Sequence, residues 1–156
     1  MNHDAALRQH LVKVLESSEA HAGFDDAVKD FPETLRGKRP DGCPHSAWQL
    51  LEHMRIAQWD ILEFTRDAKH ESPEFPEGYW LKNPEPPDAK AWDKAAKAFL
   101  ADRKALCELV ADESVDLFAK IPHGDGQTVL RQTLLTVDHN AYHLGQLLLL
   151  RRTFGA

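Results

Sequence analysis

Apolar residues recur at three- and four-residue steps along four long stretches of the chain, and no stretch alternates convincingly enough to read as a strand. The first stretch predicts a helix from Asp4 to Ala22, with Leu7, Leu11, Val14 or Leu15, and Ser18 on one face and Gly23 as its stop. Phe24 to Cys43 reads as a long connection with a short helical piece at Asp25 to Phe31. Pro32, Gly37, Pro40 and Gly42 forbid a continuous helix there. The second long helix opens at Pro44 or Ser46 and fades near Asp67. Its stripe is Ala47, Leu50, Leu51, Met54, Ile56 or Ala57, Ile61 and Phe64. His70 to Pro87 contains five prolines and reads as an extended crossing, with Tyr79, Trp80 and Leu81 folding back over the core. A third helix is expected from an Asp88 N-cap to about Val110, with Trp92, Ala95 or Ala96, Phe99, Leu100, Leu106 and Val110 inward. The fourth, from about Thr128 to Thr153, carries Val129, Leu130, Leu134, Leu135, Val137, Tyr142, Leu144 and the run Leu147 to Leu150. A helix apolar this far around predicts burial on two sides, within a bundle and against a partner subunit.

Four helices of about 18–26 residues span about 27–39 Å at 1.5 Å per residue, the dimensions of one four-helix bundle. Two of the three connections are long, which favours crossover connections over a plain up-and-down chain. The whole chain, 1–156, is therefore expected to be a single all-α domain. Composition narrows its class. Lys+Arg 19 against Asp+Glu 25 gives a net charge of −6, and no basic run exceeds Arg151-Arg152. A nucleic-acid partner needs a clustered positive footprint, so none is expected. No apolar run nears the roughly 18 residues of a membrane span, so no membrane partner is expected either. Met1 to Asp4 lack the basic and apolar regions of a secretory signal, and two cysteines, Cys43 and Cys107, are too few for a disulfide scaffold. The expected location is the cytoplasm, with both thiols free.

The unusual feature is nine histidines. His139 and His143 are four residues apart on the most apolar helix, so both imidazoles stack on one face and can reach one ion. Among leucines, two neutral rings need partners, because an unpaired buried polar group costs about 1–3 kcal/mol. His53, mid-way along the second helix, also faces inward. In a bundle, metal sites are built by side chains on facing helices. Three imidazoles from two helices leave coordination positions open, as a reactive site does. Three imidazoles suit zinc, nickel, copper or iron. Gln49, Asp60 and Gln146 are candidates to hold an imidazole N–H or a bound water. Gly145 allows close approach or is packing slack. Cys43 and His45 precede His53 by about 12 Å along the helix axis and are expected to miss the ion. Cys107 lies on the apolar stripe of the third helix, and His3, His10, His21, His70 and His123 receive no role. The chain has no Gly-rich phosphate loop, no nucleophilic serine motif and no Cys-x-x-Cys.

Glu52-His53-Met54 on the second helix, followed by His139-Asn140-Ala141-Tyr142-His143-Leu144-Gly145-Gln146 on the fourth, resembles the DinB-like superfamily. The stretch from Phe31 through Asp60, including Pro44 to Leu51, is similar to that family's loop and second helix, and the likeness covers nearly the whole chain. The resemblance implies a four-helix bundle of left-handed up-down-down-up order, commonly a homodimer. It implies a divalent metal, often zinc or nickel, on a histidine triad, here His53, His139 and His143. Members include bacillithiol transferases and mycothiol-dependent maleylpyruvate isomerase. The resemblance therefore implies a metal-dependent S-transferase that joins a low-molecular-weight thiol to an electrophilic small-molecule substrate. Metal-assisted hydrolysis, and a non-catalytic dimeric metal-binding or stress-response protein, are the alternatives. No catalytic base is assigned.

Overall fold

A computed structural model describes residues 3–16 and 20–156. Among the described residues five helices carry the fold: α1 (His3–Glu16), α2 (Phe24–Val28), α3 (Ala47–Arg66), α4 (Ala91–Ala111) and α5 (Val129–Thr153). Short 3-10 turns lie at Glu33–Leu35 and Glu77–Tyr79. Among the described residues no strand forms, only an isolated bridge between Lys120 and Thr128. The protein is all-α, as the periodicity predicts. No helix among the described residues is long and apolar enough to cross a membrane.

Local chemistry sets the helix ends. Ser46 caps α3: its Oγ accepts the Gln49 N–H at 3.2 Å, and Gln49 Oε1 accepts the Ser46 N–H at 3.1 Å. Pro44 therefore stays outside the helix. Thr128 Oγ1 accepts the Arg131 N–H at 3.1 Å and starts α5. Asp88 does not cap α4. Its carboxylate accepts the Lys90 N–H at 2.7 Å, closing a turn ahead of the helix, and the first helical residue is Ala91. The first helix is described over His3–Glu16 and does not extend through Ala22, since residues 20–22 are not helical; Ser18, placed on its stripe by spacing, lies outside the described residues. Gly23, expected as a stop, instead caps α2 by donating its N–H to Asp26 Oδ2 at 2.8 Å. α2 ends at Val28 rather than Phe31, because Asp30 takes a positive φ of 54° and Phe31 precedes a proline.

The long helices close a ring in the order α1, α4, α3, α5. Two apolar clusters fill it. One joins α2, the N-terminal halves of α3 and α4 and the C-terminal end of α5, around Phe24, Phe31, Leu51, Met54, Trp92, Phe99 and Leu147. Trp92 is 1 % exposed, packs on Phe31 and donates its indole N–H to the Val28 carbonyl at 3.2 Å. The other cluster joins Leu11 and Leu15 of α1 with Leu62, Leu106, Val110, Leu117 and Val129. Trp80 and Leu81 fold back against the first cluster, as expected of apolar anchors in a proline-rich crossing.

α5 buries one side in the bundle. Its inward face holds Gln132, Thr133, Thr136 and His143, while Leu134, Tyr142 and Leu149 are exposed. Val129 and the leucines at 144, 147 and 150 face the core, with Leu130, Val137 and Leu148 packed partly against it. Apolar residues on several sides of a helix name no single inward face. Thr133 and Thr136 are tolerated inside because their hydroxyls donate to the carbonyls of Val129 and Gln132, one turn back.

Candidate metal centre

α3 supplies His53 from its middle, and α5 supplies His139 and His143 one turn apart. His53 and His143 are 7 % and 8 % exposed, and His139 is half-buried. His53 Nε2 lies 3.0 Å from His139 Nε2 and 3.1 Å from His143 Nε2. Spacing predicted two rings on one face of α5 and His53 facing inward on the second helix; the structure brings His53 to both rings. One ligand atom from each residue fits within 4.8 Å of the others.

Proton accounting tests whether a cation fits there. His53 Nδ1 faces the Tyr79 carbonyl oxygen at 3.0 Å, which can only accept, so the neutral ring carries its proton on Nδ1. His143 Nδ1 faces Gln146 Oε1 at 2.8 Å, with the same consequence. Two lone pairs therefore confront each other across 3.1 Å with no hydrogen between them. Either a ring is protonated or a cation lies among the nitrogens. Burial opposes protonation. It pushes His53 down to about 4, with the neighbouring histidines adding to the effect against the Tyr79 carbonyl. It pushes His139 down to about 4 as well, helped by His143. His143 is lowered by the same desolvation. Zinc–imidazole bonds of about 2.0–2.1 Å in a tetrahedron set neighbouring nitrogens about 3.3 Å apart, close to the His53–His139 and His53–His143 separations. The three residues fit a divalent cation.

The surroundings hold the rings in place. Trp80 is sandwiched between His53 and His45, with ring centroids 3.7 Å from each and planes within 6° and 14°. His45 thus stands one indole away from His53 and outside the trio, closer than the axial estimate of 12 Å implied. Burial and the His143 charge lower its pKa. Gln146 holds His143, one of the roles anticipated for it. Gln49 instead donates to the Leu81 carbonyl at 2.6 Å and fastens the crossing loop. Asp60 binds no imidazole of the trio; it accepts from the Tyr79 hydroxyl at 2.6 Å and from His70 Nε2 at 2.8 Å. His70, given no role from sequence, is therefore part of the support. Its loop has no periodicity that would have revealed the pairing. A Cβ on Gly145 would meet nothing within 4 Å, so close approach within this chain does not explain that glycine. Cys107 lies away from the site, its thiol pushed up to about 11 by burial and by Glu16. Cys43 packs against the first cluster, and neither thiol is paired. His123 contacts the Phe64 carbonyl at 2.6 Å.

An all-helical ring whose facing helices bring three imidazoles together defines a helical bundle with a candidate trihistidine centre. The family model described as DinB superfamily matches residues 16–147, and the chain belongs to that superfamily. No curated protein and no solved structure matches it.

The neutral trio makes a pH prediction for the metal-free protein. The rings of His53 and His139 have folded values near 4, below the ordinary 6.5. Between those limits the unfolded chain binds more protons than the folded one. Stability from the neutral rings is therefore complete above about pH 6.5 and is lost as pH falls through about 4. Thermal melts in the presence of a chelator should show a midpoint that declines steadily across this window. A flat midpoint from pH 7 to pH 4 would contradict the assigned environment.

Proposed function

We propose that this protein is a metal-dependent enzyme in which His53, His139 and His143 hold a divalent cation, zinc or nickel, and that it transfers a low-molecular-weight thiol to an electrophilic small molecule. The observation that carries the reading is the meeting of two lone pairs from His53 and His143, with His139 alongside. When bound by three neutral donors, the cation keeps its double charge and lowers the pKa of a thiol or water in its open position. The chain's own part is positional. Tyr79 and Gln146 fix which nitrogen of His53 and of His143 carries the proton, and Trp80 covers one face of His53. In the transfer, the thiol sulfur forms a bond to the electrophilic carbon. The leaving group departs with its electron pair, and the thiol proton goes to solvent. The DinB superfamily membership supports the reading.

The test is metal analysis of protein purified without a nickel column, followed by turnover of a chlorinated or epoxide electrophile with bacterial thiols. About one cation per chain together with thioether formation supports the reading. Ester hydrolysis without thiol consumption would favour metal-assisted hydrolysis. Bound metal that raises stability with no turnover of either panel would favour a non-catalytic metal-binding or stress-response role.

The exposed apolar face of α5 supports a homodimer. Leu134, Leu135, Tyr142 and Leu149 recur on that face with Gly145 between them. Light scattering should report twice the mass of 17.7 kDa for the wild type and a monomer for Leu149→Glu. A monomeric wild type would remove this part of the proposal.

A further inference from the structure

The segment carrying Tyr79 and Trp80 touches His53 twice, through the Tyr79 carbonyl on Nδ1 and through the Trp80 indole on the ring face. That segment is short of internal support. Its own backbone bonds, Gly78 to Glu74 at 2.7 Å and Tyr79 to Pro76 at 3.1 Å, are local and do not tie it to the bundle. Gln49 of α3 holds the Leu81 carbonyl two residues on, and the tie at Tyr79 itself is a second side chain of α3. Asp60 stands seven residues after His53, two turns along the same helix face. It is 8 % exposed, and both of its oxygens are engaged by this one crossing. Oδ2 accepts from the Tyr79 hydroxyl at 2.6 Å and Oδ1 accepts from His70 Nε2 at 2.8 Å. One residue, Tyr79, thus joins the carboxylate by its hydroxyl and the imidazole by its carbonyl.

The connection matters because His53 has competing arrangements. Its Nε2 lies 3.1 Å from the Nε2 of His143 and 3.0 Å from that of His139. In the absence of a cation, moving the proton to Nε2 would let His53 donate to one of them. That tautomer occupies the nitrogen that a metal requires. Only the acceptor at Nδ1 opposes the switch. A tether that merely fastened the loop could be apolar, since burying a carboxylate carries a desolvation penalty.

We propose that Asp60 is a positioning residue for the metal centre, acting through Tyr79 to fix the tautomer of His53 and the plane of its ring. This rests on the reading of His53 as a ligand, and the test separates the two. Long-range proton–nitrogen spectra of metal-free protein labelled with 15N-histidine report which nitrogen carries each proton. Zinc affinity is measured in parallel by competition with a chelating dye. The wild type is expected to hold its His53 proton on Nδ1. Tyr79→Phe, which keeps the ring and the carbonyl and loses only the hydroxyl, should admit the Nε2–H form and weaken zinc binding about tenfold. Asp60→Ala should do the same, and Asp60→Asn, which retains an acceptor for the Tyr79 hydroxyl, should recover most of the loss. A wild-type His53 protonated on Nε2 would overturn the proposal without any variant. So would variants that melt at lower temperature while tautomer and zinc affinity stay unchanged, because the tether would then be structural only. Failure of the wild type to bind zinc, with the tautomer still shifting in Tyr79→Phe, would refute the ligand reading and leave the positioning role of Asp60 standing.

Discussion

His143→Ala is expected to strip the protein of its cation. The variant loses one of three donors, and Gln146 Oε1 loses the N–H it accepts at 2.8 Å. Two imidazoles on two helices, His53 and His139, then hold the ion with no third direction of constraint. Metal affinity should fall by about a thousandfold or more, since each ligand carries a large share of the roughly 10–16 kcal/mol seen for structural zinc sites. Stability separates ligand loss from misfolding. In the metal-free state the substitution removes one of the opposed lone pairs, so the apo variant should melt near the apo wild type. Added zinc should raise the wild-type midpoint, because ligand that binds only the folded state stabilises it, and should leave the variant unmoved. Equal metal content in wild type and variant, after purification without an affinity metal, would defeat the trihistidine assignment. Thioether-forming turnover should disappear with the metal.

The second large effect concerns stability away from the site. Arg8 of α1 is 6 % exposed, although arginine is seldom buried unless paired. Its Nη1 donates to the carbonyls of Val110 and Asp112, both at 2.9 Å, its Nη2 to that of Val115 at 2.7 Å, and its Nε to Asp4 at 2.7 Å. The last turn of a helix leaves carbonyls without intrahelical partners and carries partial negative charge. Arg8 answers both at the end of α4 and clasps α1 to it. Arg8→Met keeps the apolar stem but strands three carbonyls, at a cost of about 3 kcal/mol. For a chain of this size the melting midpoint should drop by roughly 6–12 °C. Arg8→Lys should recover little, because one ammonium cannot span the fork of three acceptors. A midpoint within 1 °C of wild type in Arg8→Met would show that the carbonyls find other partners.

Much of the fold is legible in the chain because helix formation reads nearest neighbours along the turn. Leu50, Leu51, Met54, Ala57 and Ile61 mark the buried side of α3 by spacing alone, while the choice of Ser46 over Pro44 as its start came from the Ser46–Gln49 bonds. The same local rule places His139 and His143 on one side of α5. Asp88 shows its limit. A good capping residue near a helix start can cap a turn instead, and the choice depends on the backbone path that brings it there. Asp60, His70 and Tyr79 show a different limit. Two of them sit in a proline-rich crossing with no period, and their meeting spans ten and nineteen residues.

The sequence by itself determined which stretches are helical and that the three histidines occupy mid-helix or one-turn positions, because those properties follow from the 3.6-residue repeat. The tertiary structure decided which side of α5 turns inward. α5 carries apolar residues on several sides, so its periodicity names no single inward face; packing against α1, α2 and α3 turned Val129, Leu144, Leu147 and Leu150 inward and left Leu134, Tyr142 and Leu149 outside. It also decided that His53 meets the other two rings, since contact between residues 86 and 90 positions apart depends on how α3 and α5 pack and on no local pattern in either.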